Sequence, residues 1–504
     1  MSIIIYHNED IVLLQVFISH FVYHLFFFMK KILLFVFAFA SLKITTIAQP
    51  IEKWTLRKCV DYAMKNNISV KQADIQARIA ALQLKQAKLY QLPNANFSTG
   101  VYPQFGRTID RTTNSYSNTS IVSQNYSLQG SVEIYSWGKL KNNIAANTFS
   151  AKAALADIEK NANDVALNVA TYYLQILATY QQIKIAEVQI ITTKNNLDAT
   201  RKKVDAGSLP ELNALEFESQ LATDSNNLVS ATTSYSQTLL ALKGVLNLDA
   251  ALPFDVEIPD VDKIPLENLT DLQPENVYKL ALDNQPSIKA NKLRISASEK
   301  TALASKASMF PTISGSYSLG TNYTNRAEEI TSVNNKPTII GNVNVGGNNY
   351  DVFTNYPEYT TTKSKYFSQL KNNFGQSLGL NISVPIFNNG TNRINYEQSK
   401  LSLQNSKIAE DQIEQKLKLD IYTSYSNAVN ALQKFNASKK QVEVSQKAFD
   451  FATKRYDVGL LNTLDLITNQ NNLLRAKTQN LADQYDFVFK MKLLEFYKGQ
   501  GLKL

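Results

Sequence analysis

One feature constrains this chain more than any other: a short segment of alternating polarity that leads directly into a very long seven-residue repeat. Between residues 378 and 387, apolar side chains alternate with Gly, Asn, Ser and Pro, which predicts a β-strand with one apolar and one polar face. After Gly390 the period changes, and large side chains recur every seven residues, as in a coiled-coil helix. The seven-spaced residues are Ile421, Ala428, Phe435, Val442, Phe449 and Tyr456.

The same strand–helix unit occurs 252 positions earlier, which indicates a tandem duplication. Its seven-spaced residues are Val169, Ile176, Ile183, Ile190, Leu197 and Val204. Upstream of the strands the offset falls to 218, so the second copy carries 34 additional residues between its two strands. We predict a first repeat over 49–251, a linker over 252–272 and a second repeat over 273–504.

The first 48 residues are predicted to be an N-terminal extension and a signal peptide, cleaved after Ala48. Translation from Met29 is an alternative to translation from Met1. A second interpretation is an uncleaved membrane anchor over 11–42, against which the two lysines in its middle argue. The signal-peptide pattern consists of Met29-Lys30-Lys31, an apolar run over 32–40 and Thr46-Ile47-Ala48.

The composition of the mature chain argues against an enzyme. All three histidines precede residue 30 and Cys59 is the one cysteine, which excludes histidine-based catalysis and zinc sites. We therefore predict no catalytic residue, no cofactor and no metal. Cys59 lies in a helical pattern with Leu56 and Ala63, so we expect it in the core. It is too far from the cleavage site to be a lipoprotein cysteine.

The charge of the chain gives no sign of nucleic-acid binding. Removing the leader takes away two acids and three bases, so the net charge falls from +9 to +8. The remaining charges are dispersed and form no basic run. The mature chain also has no stretch of 18 consecutive apolar residues, so no transmembrane helix is predicted.

The periodicities predict the following elements. Helices are expected at 53–67, 69–92, 138–204 and 212–246, and in the second repeat up to Phe310, at 390–456 and at 464–498. Strands are expected at 94–101, 126–134, 313–319 and 378–387, with polar loops between the first two strands and at 321–372. A 67-residue helix would be about 100 Å long.

Small residues follow the large seam residues of the long helices by three positions, which permits close lateral packing. This pattern leaves open an antiparallel coiled-coil hairpin and a tube of helices. The small residues are Thr179, Ala186, Thr193 and Thr200 in the first copy and Ala431, Ser438, Ser445 and Ala452 in the second.

The four two-faced strands favour a membrane protein. Four strands cannot close a barrel, and an open apolar sheet cannot face lipid with unpaired edges. Three copies would supply twelve strands, with the apolar face toward lipid; a soluble sandwich is the alternative. The polar face expected to line water carries Asn94, Asn96, Ser98, Thr312, Ser314, Ser316, Asn381 and Ser383.

These features together resemble the TolC family of outer-membrane efflux channels over about residues 53–498. The resemblance is carried by the duplicated unit, the V-P-I-F-x-x-G of 384–390 and the R-Y-x-V-G-L of 455–460. It implies a mixed α/β membrane protein: a homotrimer whose long antiparallel coiled-coil helices form a periplasmic α-barrel and whose strands form a 12-stranded transmembrane β-barrel. Members are passive exit ducts of tripartite efflux or type I secretion systems, coupled to a periplasmic membrane-fusion adaptor and an inner-membrane RND or ABC pump.

The resemblance also assigns roles to the two turns that join the long helices. They would be the periplasmic tips that contact the adaptor, and the first copy matches the family pattern less well than the second. The tip residues are Ala206, Gly207 and Ser208 in the first copy and Val458, Gly459 and Leu460 in the second.

Further positions would form the periplasmic entrance. Asp465 matches a family carboxylate, and three copies would give a ring of negative charge that favours cations. Thr468 stands where the family has a second acid, and Leu461 where it often has an arginine whose partners would be Leu212 and Asn213. Tyr456 is retained. The other interpretation of Asp465 is a solvated acid in the first turn of a helix, where negative charge is favoured.

Two other functions compete with the duct. A periplasmic coiled-coil scaffold or adaptor without a barrel would be soluble without detergent, and the two-faced strands argue against it. An enzyme would need a convergent catalytic set that the sequence lacks.

Trp137 has two interpretations: a place at the lipid headgroups, and packing at the corner between strand and helix.

Overall fold

The computed structural model describes residues 52–110, 114–259, 261 and 264–499. The predicted signal peptide, with Met29 and Ala48, lies outside these residues. The chain comprises two compact units. The first is residues 1–53 with 253–255, and in its described part Lys53 Nζ lies 3.5 Å from Asp255 Oδ2. The second, residues 54–252 with 256–504, contains the helices that the structure describes and the main sheet.

Two short helices begin each half of the second unit. Helices α1 and α2 are Leu56–Asn66 and Ile68–Leu89, and their counterparts α5 and α6, Pro274–Asn284 and Pro286–Ala307, lie 218 positions later. Thr55 Oγ1 caps α1 by accepting a hydrogen bond from the Lys58 amide at 3.2 Å. Proline occupies the first position of both later helices, where its missing N–H costs no helical bond.

The long helices recur at an offset of 252. Helices α3 and α8, Lys139–Asp205 and Thr391–Asp457, have 67 residues each, while α4 and α9, Glu211–Leu246 and Thr463–Lys498, have 36 each. The predicted bounds are correct to within one residue. Both 67-residue helices follow a glycine in the left-handed region, Gly138 with φ 77° and Gly390 with φ 74°.

Small seam residues lie inside the helix packing, as their spacing predicts. Helix α3 packs against α2, α4, α6 and α9, and α8 packs against α6 and α9, so helices from both halves share one unit. A core at the sheet-proximal half of α8 and α9 includes Ile288, Ile421 and Leu494, each buried at a gain of about 1.5–3 kcal/mol. The buried small residues are Thr179, Ala186, Thr193, Thr200, Ala431, Ser438 and Ala452, with Ser445 half-buried.

The main sheet is antiparallel and has four strands in the order β2-β3-β5-β8. Their bounds are Asn96–Asp110, Ser115–Tyr135, Thr312–Thr324 and Gly375–Ser383. Strands β2 and β8 are its edges, and within the described chain neither pairs with a further strand on its outer side.

The two faces of this sheet differ in polarity, one being mostly apolar and the other polar. Cross-strand partners lie on the same face, so the pairing of Leu128 with both Phe97 and Leu319 places all three together. Leu378 is 91% exposed on this face. The apolar face carries Phe97, Val101, Leu128, Val132, Ile134, Ile313, Tyr317, Leu319, Leu378, Leu380 and Ile382, and the opposite face carries Asn96, Ser98, Asn125, Ser127, Gln129, Ser131, Ser314, Ser316, Ser318, Ser377 and Asn381.

Several predicted strand limits are wrong, among them the end of β5, which continues to Thr324 instead of stopping at 319. The polar segment between the first two strands is itself mostly strand, because β2 and β3 form one long hairpin that turns between Asp110 and Ser115. Strand β8 ends at Ser383, four residues before the predicted limit at 387. Pro385 lacks an N–H and cannot extend the ladder.

The predicted polar loop over 321–372 is also wrong. It contains a second hairpin, β6 Glu328–Val345 with β7 Asn348–Lys363, and the seven-residue helix α7, Tyr366–Asn372. Both faces of this hairpin are exposed to solvent. Without a buried face the strands need no clean alternation of polarity, which is the signal on which the strand prediction depends.

Short elements complete the description: strands β1, Lys53–Trp54, and β4, Asp255–Val256, and a 3₁₀ turn, Leu269–Leu272. The predicted linker is bound to α9. The buried Lys492 of α9 donates to the carbonyl of Pro265 in the linker at 2.6 Å, and to Glu495 Oε2 of its own helix at 2.8 Å. Across the described residues, each helix is too short or too polar to cross a bilayer.

Candidate functional site at the helix tips

The two turns that reverse the long helices have the same backbone. Gly207 and Gly459 are in the left-handed conformation, with φ 69° and 76°. One residue later, the Ser208 amide donates to the Lys203 carbonyl at 2.9 Å and the Leu460 amide donates to the Arg455 carbonyl at 2.8 Å. All six predicted tip residues are exposed: Ala206, Gly207, Ser208, Val458, Gly459 and Leu460.

The structure brings these two turns together. Lys203 Nζ, from the first turn, donates to the Asp457 carbonyl of the second at 3.5 Å. The same ammonium lies 5.0 Å from the centre of the Tyr456 ring, within the range of a cation–π interaction. Segments 252 residues apart in sequence therefore form one end of the molecule.

Tyr456 is the centre of the contact between the two tips. Its side chain is 6% exposed, and its hydroxyl lies 2.8 Å from Thr200 Oγ1 and 3.5 Å from Thr463 Oγ1. Its ring meets the edge of Phe217 at 6.2 Å between ring centres. Leu461 packs against the apolar cluster that contains Tyr456 and Phe217. This predicted entrance residue is therefore in contact with the interior of the tips.

The other predicted entrance residues lie in the first turns of α9 and α4. Asp465 is exposed, and its amide is capped by Asn462 Oδ1 at 2.8 Å. Thr468 is exposed and its hydroxyl donates to the Leu464 carbonyl at 2.8 Å. Asn213 is half-buried at the start of α4. Asp465 forms no ion pair with any residue that the structure describes, so its charge stays available to solvent.

Sequence reasoning missed a buried polar network that lies above the tips. Thr193 Oγ1 donates to Asp224 Oδ2 at 2.6 Å and accepts from Gln470 Nε2 at 2.6 Å. Gln220 Nε2 donates to Asp224 Oδ1 at 2.8 Å, and its amide also bonds reciprocally with that of Asn471, at 3.1 and 3.2 Å. Asp224 is only 1% exposed. The sequence signal that could have found this network is Asp224 itself, an acid at a position where the periodicity of α4 predicts a buried residue.

Large apolar side chains remain exposed around the same end. They are Leu212, Leu215, Val458, Leu460 and Leu464, and each has at least half of its surface accessible. Scattered exposed apolar residues are ordinary, but a cluster at the end of a helical hairpin suits a protein contact. No group of three or more potential metal-ligating side chains occurs among the described residues.

These observations define a class of protein. Long paired helices meet at one end in closely packed tips, and at the other end they continue into an open sheet with one apolar and one polar face. This arrangement is that of a membrane channel subunit in which strands meet the bilayer and helices extend away from it.

Comparisons with known proteins identify the family. The model of the outer membrane efflux protein family matches residues 60–248 and 277–490, and the chain therefore belongs to that family. It is 21% identical over 433 residues to toxin and drug export protein A of Aggregatibacter actinomycetemcomitans, covering 86% of this chain and 83% of that protein.

Solved structures share the fold. The crystal structure of CusC, whose title concerns folding and transmembrane channel formation, superposes with a TM-score of 0.72 at 16% identity, covering 91% of this chain and 95% of that one. The outer membrane channel CmeC of Campylobacter jejuni gives a TM-score of 0.68 at 18% identity, covering 89% of this chain and 86% of that one. The predicted resemblance to the TolC-type channels is thus confirmed.

Proposed function

We propose that this protein is the outer-membrane exit duct of a tripartite efflux or type I secretion system. The observation that carries the proposal is the two-faced sheet, whose edge strands β2 and β8 pair with no further strand in the part of the chain that the structure describes. A sheet with lipid on one side must close, and four strands are too few. Three copies joined through β2 and β8 would close a twelve-stranded barrel with the serine- and asparagine-rich face around water.

The helices would form the periplasmic part of the duct. At 67 residues, α3 and α8 are each about 100 Å long, a length suited to reaching far from the outer membrane. Export to this membrane would use the cleaved signal peptide. One relative is named a toxin and drug export protein, which supports a role in export. The duct itself would be a passive conduit whose cargo is selected by an inner-membrane RND or ABC pump.

The tips would be the entrance and the adaptor contact. The exposed Val458, Leu460 and Leu464 offer apolar area to a periplasmic adaptor. Asp465, exposed beside them, would form a ring of three carboxylates in the trimer. A ring of like charges at a narrow opening attracts cations, and most strongly the multivalent ones.

The duct is tested first by assembly and conductance. The mature protein, extracted from membranes in mild detergent, is expected to have three times the chain mass in native mass spectrometry and to conduct ions in planar bilayers. A protein that is released by salt alone as a monomer or dimer would refute the duct and favour the coiled-coil scaffold.

The entrance is tested by Asp465→Asn in the same bilayers. We predict weaker block of single-channel current by a trivalent cation added on the side of the helix tips, because three negative charges are removed from the opening. Asp61→Asn, which removes an exposed acid from the short helix α1, is the matched control and should leave block unchanged. Equal block in wild type and Asp465→Asn would remove Asp465 from the entrance.

A further inference from the structure

Helix α7 lies on the apolar face of the main sheet. Tyr366 at its start donates to Gln124 Oε1 at 3.0 Å, and its hydroxyl lies 2.8 Å from that of Tyr126. Its ring is 4.7 Å from that of Tyr323. Gln124, Tyr126 and Tyr323 share a face with Leu128 and Leu319, because side chains on one strand alternate and paired residues lie on the same side.

The helix is firmly attached to this end of the sheet. The Gln369 side chain, 3% exposed, accepts from the Thr324 amide at 2.9 Å and donates to the Thr324 carbonyl at 3.0 Å. Thr321 Oγ1 donates to the Leu370 carbonyl at 2.7 Å. These contacts place α7 over the two inner strands, β3 and β5. The edges β2 and β8 therefore stay free, and a second copy joined through them need not cover α7.

The position of α7 matches one boundary of a lipid layer. Ten residue steps separate Ile313 from Tyr323 on β5, about 33 Å along the strand, or roughly 25 Å along the bilayer normal at a tilt of about 40°. That is about the height of the apolar band of an outer-membrane barrel. At the helix end of the band, Trp137 packs against Tyr135 and Phe310 at 5.5 and 5.4 Å. Tyr323 and α7 mark the opposite end.

Aromatic and basic side chains are exposed on α7 and its flanks, beside the exposed Asn372 and Asn373. Phe367 is 80% exposed and Phe374 is 56% exposed. Lys363, Lys365 and Lys371 are exposed, and none forms an ion pair within the described part of the chain. The nearby acids Glu328 and Glu329 instead accept from the hydroxyls of Thr361 and Ser364, each at 2.6 Å.

We propose that α7 anchors the protein in the outer leaflet by binding phosphorylated lipid, with Phe367 and Phe374 in the acyl boundary and the three lysines on lipid phosphates. The inference rests on the proposed channel function, because it takes the apolar face of the sheet to meet lipid. Unpaired lysines beside exposed aromatic rings complement an anionic headgroup on an acyl chain.

Lipid binding by the full-length trimer tests the lysines. Native mass spectrometry in detergent would titrate diphosphorylated lipid A and, separately, phosphatidylcholine. Each lysine near an anionic surface contributes roughly fivefold, so K363Q/K365Q/K371Q should weaken lipid A binding on the order of a hundredfold and leave phosphatidylcholine unchanged. K407Q/K434Q/K439Q removes three exposed charges from α8 and should bind lipid A like wild type.

The depth of the helix is tested by labelling. A polarity-sensitive fluorophore on F367C in reconstituted vesicles should be quenched by lipid that carries a nitroxide on its headgroup. The same label on Y356C, in strand β7 of the second hairpin, should instead be quenched by an aqueous quencher. Wild-type protein that neither inserts nor conducts would overturn the channel itself. A conducting protein whose lysine variant binds lipid A normally, or whose residue 367 is in water, would overturn the anchor alone.

Discussion

Thr193→Val tests whether the buried network above the tips stabilises the fold. The Thr193 hydroxyl donates to Asp224 Oδ2 and accepts from Gln470 Nε2, both at 2.6 Å. Valine keeps the shape of threonine but removes both bonds. A hydrogen bond to a charged group contributes about 1.5–3 kcal/mol, and a buried amide left without a partner adds to the loss. We expect the free energy of unfolding to fall by about 3 kcal/mol.

Thr179→Val is the matched control, two heptads earlier on α3. Thr179 is also buried, but its hydroxyl donates only to the Gln175 and Ile176 carbonyls of its own helix, both at 3.0 Å. Those carbonyls keep their helical partners after substitution. The cost should therefore stay below about 1 kcal/mol.

Denaturant unfolding in detergent, followed by helical circular dichroism, measures both variants. The double variant T193V/D224A should cost less than the sum of its single substitutions by at least about 1 kcal/mol, because removing the carboxylate removes the group that Thr193→Val leaves unpaired. Equal costs for Thr193→Val and Thr179→Val, or strict additivity with Asp224→Ala, would refute the reasoning.

Three further predictions concern single residues. Gly459→Ala should destabilise by about 1–2 kcal/mol in the same unfolding assay, because a Cβ there has open space but φ is 76°; Gly459→Asn should cost less, and equal costs would contradict a backbone cause. Cys59 should resist maleimide at pH 8 until the protein is unfolded, because burial raises the pKa of its thiol to about 12; rapid native labelling would contradict this. Hydrogen bonds from Lys440 and Lys447 lower the pKa of Glu443 to about 2. The Glu443 carboxylate therefore makes a small contribution to the free energy of unfolding, which is present above the unfolded pKa near 4.5 and is lost as pH falls toward 2. The melting temperatures of wild type and Glu443→Gln should accordingly converge in acid and not diverge.

The long helices were predictable because their signal is redundant. A seven-residue repeat sustained over 67 residues, and present twice at one offset, leaves little freedom in where the helices begin and end. Cys59, predicted in the core, is fully buried. The two-faced strands were also predictable, because alternation of apolar and polar residues indicates a strand whose two faces have different surroundings.

The second hairpin and α7 were not predictable in this way. Neither face of β6 and β7 is buried, so the sequence carries no alternation that would distinguish them from a polar loop. Thr193 and Asp224 lie on consecutive helices, but Gln470 joins them from 277 residues away, and nothing in the periodicity of α3, α4 or α9 pairs these three residues. Proximity of this kind follows from packing, which periodicity does not describe.

Differences between the two copies explain the contacts through which the halves meet. At equivalent positions of the repeats, Thr200 corresponds to Ala452 and Val204 to Tyr456, so only the first copy has the hydroxyl and only the second has the phenol that meet at 2.8 Å. Asp224 likewise corresponds to a buried alanine, Ala476.

A tip built from two identical copies would lack one partner of each contact. Pairing two first copies would leave Thr200 without a phenol, and pairing two second copies would leave Tyr456 facing the methyl group of Ala452. Polar contacts of this kind discriminate between partners through the cost of leaving a buried group unpaired. The divergence of the repeats at these seam positions therefore favours pairing of a first-copy hairpin with a second-copy hairpin over pairing of two hairpins of the same kind.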